Sequence, residues 1–302
     1  MRVDVHQHLW TEGVYAALAR RTAAPRLRSR DRGWQLELAG EPPFPLPRDP
    51  HEADRRAAVL DDFGVDIAIV ALSTALGVET LPPDEAREVL DAWDADVAAL
   101  PRRLSSWGSV PLAEPDPRDV DRVLDRGRIG VTLPADAIGT PAALDHVGPL
   151  LERLAARDAP LLVHPGASAA GTWLAPMTSY VASLSDAWHA WALHGRARHP
   201  ALRVVFAALA GLAPLHAERL GARVDRAPVR AALSDPLTFY DTSSYGPVAV
   251  DAMLRAVGPE ALVHGSDWPY AEPAPLAGPL RRAIVEDNPA ALLRLRPAAV
   301  AA

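Results

Sequence analysis

Arg2-Val3-Asp4-Val5-His6-Gln7-His8 opens the chain almost at its first residue. As a strand this run alternates, placing Asp4, His6 and His8 on one face and Val3 and Val5 on the other. Two imidazoles two residues apart at a strand end can reach a single metal ion. His-x-His alone is a weak signal, because exposed histidines near a chain start arise by chance. Two later runs strengthen it: Leu161-Leu162-Val163-His164-Pro165-Gly166 and Leu262-Val263-His264-Gly265-Ser266-Asp267-Trp268-Pro269. Each is an apolar stretch that ends in a potential ligand and then in turn residues.

Outward from these runs, short apolar segments alternate with amphipathic ones along the whole chain. Strands are predicted at 2–8, 65–72, 104–111, 129–134, 159–164, 202–209, 237–243 and 260–266. Most are nearly continuous in Val, Ile, Leu and Ala, as parallel strands covered on both faces should be. Helices are predicted at 52–63, 84–100, 116–126, 140–157, 178–198, 214–220, 248–257 and 276–295. Gly64 and Gly127 stop two of them and Thr140-Pro141 starts another. Eight strands alternating with eight helices predict an α/β fold, a (β/α)8 TIM barrel. A doubly wound open sheet is the competing architecture. The 302 residues, 49% hydrophobic, suit one barrel domain over 1–302.

The segment 11–50 interrupts the pattern between the first strand and its helix. It is rich in Arg and Pro, and Gly33-Trp34-Gln35-Leu36-Glu37-Leu38-Ala39-Gly40 reads as a small hairpin arm. An insertion after a strand end lies over the barrel mouth, where active sites are built. A lid or collar that brings Trp34 to the substrate is one reading; an interface arm in a homodimer is the other. His51, at the end of this segment, is expected to be exposed.

Composition removes several chemistries. There is no cysteine, so disulfides, thiolate nucleophiles and iron–sulfur sites are excluded. All 31 basic residues are arginines, which excludes a Schiff base and a two-metal site bridged by a carboxylated lysine. A formal net charge of −7 argues against nucleic acid or an anionic membrane as the main partner. The cluster Arg20, Arg21, Arg26, Arg28, Arg30 and Arg32 reads first as a solvated face. No secretory signal and no apolar run of about 20 residues is visible, so the expected location is cytoplasmic.

In a barrel, the ends of strands one, five and eight open onto one mouth. That brings together His6, His8, His164 and Asp267. Three imidazoles and a carboxylate make a site for one first-row divalent ion, with zinc the expected one.

The sequence also resembles a known family, the amidohydrolase superfamily. The similarity is to its amidohydrolase-related branch, which includes the aminocarboxymuconate-semialdehyde decarboxylase group. Asp4-Val5-His6-Gln7-His8 is similar to that family's D-x-H-x-H, Val163-His164-Pro165 to its strand-five histidine, and Gly265-Ser266-Asp267-Trp268-Pro269 to its G-S-D-x-P. Gly130-Val131-Thr132-Leu133-Pro134, Tyr240-Asp241-Thr242-Ser243 and Asn288-Pro289-Ala290-Ala291-Leu292-Leu293 extend the resemblance to the whole chain. It implies a barrel that binds one divalent metal through His6, His8, His164 and Asp267. One position departs. Where the family commonly has a histidine base at the end of strand six, this chain has Ala208. A positioned base is worth about 10²–10⁴ in rate. His264 and Asp267 are the expected stand-ins, Ala208 would leave room for substrate, and Trp173, in the loop after strand five, would contact the substrate if it reaches the mouth.

The leading expectation is a metal-dependent hydrolase of a small lactone, amide or ester. A metal lowers the pKa of bound water toward roughly 7 and so supplies a nucleophile. One alternative is a non-oxidative decarboxylase of an aromatic or enoic acid, in which an arm arginine would hold the acid. Another is a non-catalytic barrel that keeps only the pocket.

Overall fold

Short runs of buried apolar residues become eight parallel strands arranged in a ring. The computed structural model describes residues 1–30, 33–168, 174–272 and 278–295. The ring strands are β1 (Val3–His8), β2 (Ile67–Ala71), β3 (Leu104–Ser106), β4 (Val131–Pro134), β5 (Leu161–His164), β6 (Val204–Phe206), β7 (Thr238–Asp241) and β8 (Leu262–Val263). Parallel ladders join β1 to β3 and β4 to β8 in sequence order. Two narrow seams close the ring. At one, Gly108 pairs with Val131; at the other, Gln7 pairs with Trp268 and the Val5 N–H donates to the His264 carbonyl at 2.8 Å. The architecture is the expected TIM barrel.

Alternation sorts the side chains. Ile69, Leu162, Val205, Phe239 and Val263 meet Val3, Val5 and Trp107 inside the ring. Val163, Val204, Phe206, Tyr240 and Leu262 point outward into the helical layer. Each such side chain, once fully buried, stabilises the fold by about 1.5–3 kcal/mol. The helices begin where the sequence offers starts: Pro83, Pro117, Pro141 and Pro247 occupy first turns, which need no N–H there.

β1 departs from simple alternation. Between Asp4 and Gln7 its register slips against β2, so that two residues oppose one. The bulge turns the strand at Val5-His6. Val3 and Val5 face the interior, as His6 and His8 do further along, while Asp4 faces away. The expected shared face of Asp4, His6 and His8 is therefore corrected. Asp4 instead works behind the strand, accepting the backbone N–H groups of His6 and Ser266, both at 3.1 Å, and Gln7 Nε2 at 2.8 Å. Buried Arg56 continues that network, donating to Gln7 Oε1 and the His8 carbonyl, both at 2.9 Å.

The chain after β6 is also unlike the strand predicted to reach residue 209. Ala208, Leu209, Ala210, Gly211 and Leu212 all have left-handed φ, from 46° to 65°. A left-handed turn costs non-glycine residues roughly 1–2 kcal/mol each, so the surroundings must hold it. The Ala208 N–H donates to Asp241 Oδ1 at 2.9 Å and to Ser243 Oγ at 3.2 Å. At Gly211 a Cβ would sit 2.7 Å from the Val181 carbonyl oxygen, so the backbones approach too closely for a side chain.

The insertion holds more structure than a hairpin. It begins with the helix Glu12–Arg20, whose Thr11 cap was legible but not used in the sequence reading. Three antiparallel strands follow, Arg26–Arg30, Gly33–Glu37 and Phe44–Leu46. Their Leu27, Leu36 and Leu46 pack with Trp10, Val14 and Trp93 in a second core. A further unanticipated helix, Arg226–Leu233, lies between β6 and β7.

Glu79 is wholly buried beyond β2. Burial, with Asp136 adding to it, pushes its pKa from 4.5 up to about 8. The folded chain then binds the extra proton, so stability is full below pH 4.5 and declines as pH rises through about 8. Glu79→Gln, which cannot ionise, is expected to unfold at a higher temperature than wild type at pH 9, with the gain shrinking toward zero near pH 5. Thermal melts across that range test it. An equal gain at both ends would show that ionisation is not the cause.

Candidate metal centre

The bulge in β1 brings His6 and His8 to the mouth together, and β5 and the turn after β8 add His164 and Asp267. The ligand atoms of all four lie within 4.8 Å of one another. His6 Nε2 and His164 Nε2 are each 3.1 Å from His8 Nε2, and Asp267 Oδ1 is also 3.1 Å from it. The three rings meet edge to face, with centroids 4.7–4.9 Å apart. Asp267 turns inward through a left-handed φ of 61°.

Each Nδ1 is held from behind. His6 Nδ1 is 2.8 Å from Asp241 Oδ2, and His8 Nδ1 is 3.2 Å from the Ala71 carbonyl. His164 Nδ1 is 2.9 Å from Thr74 Oγ1, whose own proton goes to the Pro165 carbonyl at 2.7 Å. These acceptors place the imidazole protons on Nδ1. Three Nε2 lone pairs and a carboxylate oxygen then converge on one point, an arrangement that requires positive charge at its centre. The electrostatics agree. Burial lowers the pKa of His8 and His164. For His6 burial pulls the same way, but the Asp241 carboxylate outweighs it and lifts the pKa to about 9. The donor set and its outer partners fit one divalent metal.

Beside the centre lies a cavity of about 580 Å³. Its walls are mostly apolar, with Trp10, Leu76, Val181 and Leu184 from the barrel and Leu36, Leu38 and Phe44 from the arm. Ala208 lines it next to Ser243 and Ser244, so the missing histidine does leave open space.

Other expectations are not met. His264 is buried behind β1, with Nε2 3.9 Å from Asp4 Oδ2, and does not line the cavity. The register that points Val263 inward sends the next residue outward. Trp34 packs near Tyr15, with ring centroids 6.3 Å apart, and its strand partners Leu36 and Leu38 reach the cavity instead. His51 is buried rather than exposed, accepting the Trp10 N–H at 3.2 Å. Trp173 lies outside the described residues. Of the described arm arginines, Arg20 pairs with Glu88, Arg21 with Glu85, Arg26 with Glu37 and Arg48 with Glu12. No arginine lines the cavity among the described residues. The sequence reading missed Glu41, Tyr180 and Tyr270, which do line it.

An amidohydrolase family model matches residues 3–295. The chain belongs to the amidohydrolase family. No curated protein matches it in sequence. Among solved structures it is similar to the IDCase of Metarhizium anisopliae, with 19% identity, a TM-score of 0.83 and 97% of each chain covered. It is similar to 5-carboxyvanillate decarboxylase from Sphingomonas paucimobilis, with 19% identity, a TM-score of 0.73, and 98% and 99% of the two chains covered. It is also similar to a dihydroxybenzoic acid decarboxylase from Polaromonas sp. JS666, solved with manganese and 2-nitroresorcinol, with 18% identity, a TM-score of 0.72 and 98% of each chain covered. These likenesses correct the expected hydrolase, because the solved structures that this chain resembles are mostly decarboxylases. No helix among the described residues is long and apolar enough to cross a membrane.

Proposed function

We propose that this amidohydrolase is a metal-dependent, non-oxidative decarboxylase of a small aromatic acid. The observation that carries the proposal is the cavity itself: largely apolar, with ample room for an aromatic ring at about 580 Å³, and ending at a cation-seeking centre. His6, His8, His164 and Asp267 would hold the ion. Zinc suits three imidazoles and a carboxylate, and manganese, present in the Polaromonas enzyme, is the other ion to load. The ion supplies Lewis acidity that fixes an anionic substrate and draws charge from it.

The chain's own groups do the rest. The apolar walls hold the ring and exclude water. The bond from ring carbon to carboxylate breaks, CO₂ leaves, and the electron pair stays on the ring carbon, which must take up a proton. Asp267 borders both the centre and the cavity, which makes it our candidate to deliver that proton and regain one from solvent. His264 has no such access, so this role falls to Asp267 alone among the two sequence candidates.

Metal-loaded protein is expected to release CO₂ from one or more hydroxybenzoates well above a metal-stripped control. In D₂O the product should carry one deuterium at the vacated carbon. Neither CO₂ nor deuterium incorporation across the panel, from protein shown to be loaded, would sink the proposal.

A further inference from the structure

The wall of the cavity contributed by the arm has a polar pair that the reaction above does not use. Tyr180, at the start of the helix Ser179–Ala190, donates its hydroxyl proton to Glu41 Oε1 at 2.9 Å. Glu41 comes from the arm, 139 residues away in sequence, and both residues line the cavity. With that proton committed, the pair offers only acceptors: the second Glu41 oxygen and the remaining lone pairs of the tyrosine oxygen. Burial, reinforced by Glu41, raises the Tyr180 pKa, so the hydroxyl keeps its proton.

No arginine lines the cavity among the described residues. Among the described residues the cavity therefore offers an anion the metal centre, and the Glu41 carboxylate on its wall repels a second one.

We infer that Glu41 and Tyr180 set substrate specificity, selecting a monocarboxylate with an apolar ring that bears a hydrogen-bond donor, a hydroxyl or an amine, away from its carboxylate. The inference rests on the reading above that the metal centre fixes the anionic end of the substrate. It separates this chain from a binder of aromatic dicarboxylates, because a second carboxylate would meet the Glu41 carboxylate with no arginine beside it among the described residues.

Calorimetric binding to zinc- or manganese-loaded protein tests it without requiring turnover. The probes are benzoates carrying a hydroxyl, amino, methyl or carboxylate group at the 3- or 4-position. Wild type is expected to bind the best hydroxyl or amino probe at least tenfold more tightly than its methyl counterpart, the usual worth of a hydrogen bond to a charged group. Isophthalate and terephthalate should bind more weakly still. Glu41→Gln should lose most of that preference and gain affinity for the dicarboxylates, and Tyr180→Phe should lose part of it. Melting temperatures near wild type would establish that both variants are folded. Dicarboxylates binding as well as the hydroxyl and amino probes, or a preference unchanged in folded Glu41→Gln, would overturn the inference. CO₂ is measured on the same probes. Donor preference without CO₂ release would refute the decarboxylase reading and leave this specificity standing, whereas CO₂ release without donor preference would refute the specificity alone.

Discussion

Purified protein is expected to hold one divalent ion per chain, and the His6→Ala, His8→Ala double variant to hold none after dialysis. The reason is the convergence of three Nε2 lone pairs and the Asp267 carboxylate on one point, with each Nδ1 already held by another group. Removing two imidazoles leaves one nitrogen and one carboxylate, too few for stable retention. CO₂ release should fall to the metal-stripped background. Asp241→Asn gives a graded control. It keeps the shape but weakens the grip on His6, and loss of such an outer partner costs about 10–100-fold in metal affinity. Because His6 is lifted to about 9 without an ion, uptake at pH 7 should also release close to one proton. Elemental analysis and a melting temperature that climbs with added metal in wild type alone are the measurements. Unchanged stoichiometry in the double variant would refute the centre.

Asp267→Asn should lower kcat by more than a hundredfold even at saturating metal. Loss of a proton-transferring group is typically worth 10²–10⁴ in rate. The substitution suits the backbone, since asparagine tolerates the left-handed φ of 61° as readily as aspartate does. A folded, loaded variant can therefore be compared directly with wild type. The decisive readout is the split between constants, with kcat collapsing while binding of an unreactive benzoate to the loaded protein changes far less. A loaded variant with near wild-type kcat would remove Asp267 from the proton path.

Much of this was legible from the chain alone. Near-continuous apolar runs marked most of the eight strands, because a parallel strand buried on both faces has little choice of side chain. The four candidate ligands could be read because each sits where such a run gives way to turn residues, the place where a barrel strand opens onto its mouth. Local signals were less reliable where packing overrides them. The bulge at Val5-His6 reverses which face of β1 looks inward, and no residue type announces it. His264 shares a motif with Asp267 yet turns behind the strand, because the register there sends adjacent residues to opposite faces. His51 seemed fit for solvent until the arm folded over it.

By itself, then, the sequence determined the barrel, the metal-binding residue types and the absence of thiol and lysine chemistry. Those properties follow from hydrophobic period, spacing and composition, which are local or additive. The tertiary structure alone decided what the cavity accepts. Glu41 and Tyr180 are 139 residues apart, and Asp241 reaches His6 across 235. Such pairs are created only when ring closure and the docking of the arm bring distant residues together, and a linear pattern carries no trace of that contact.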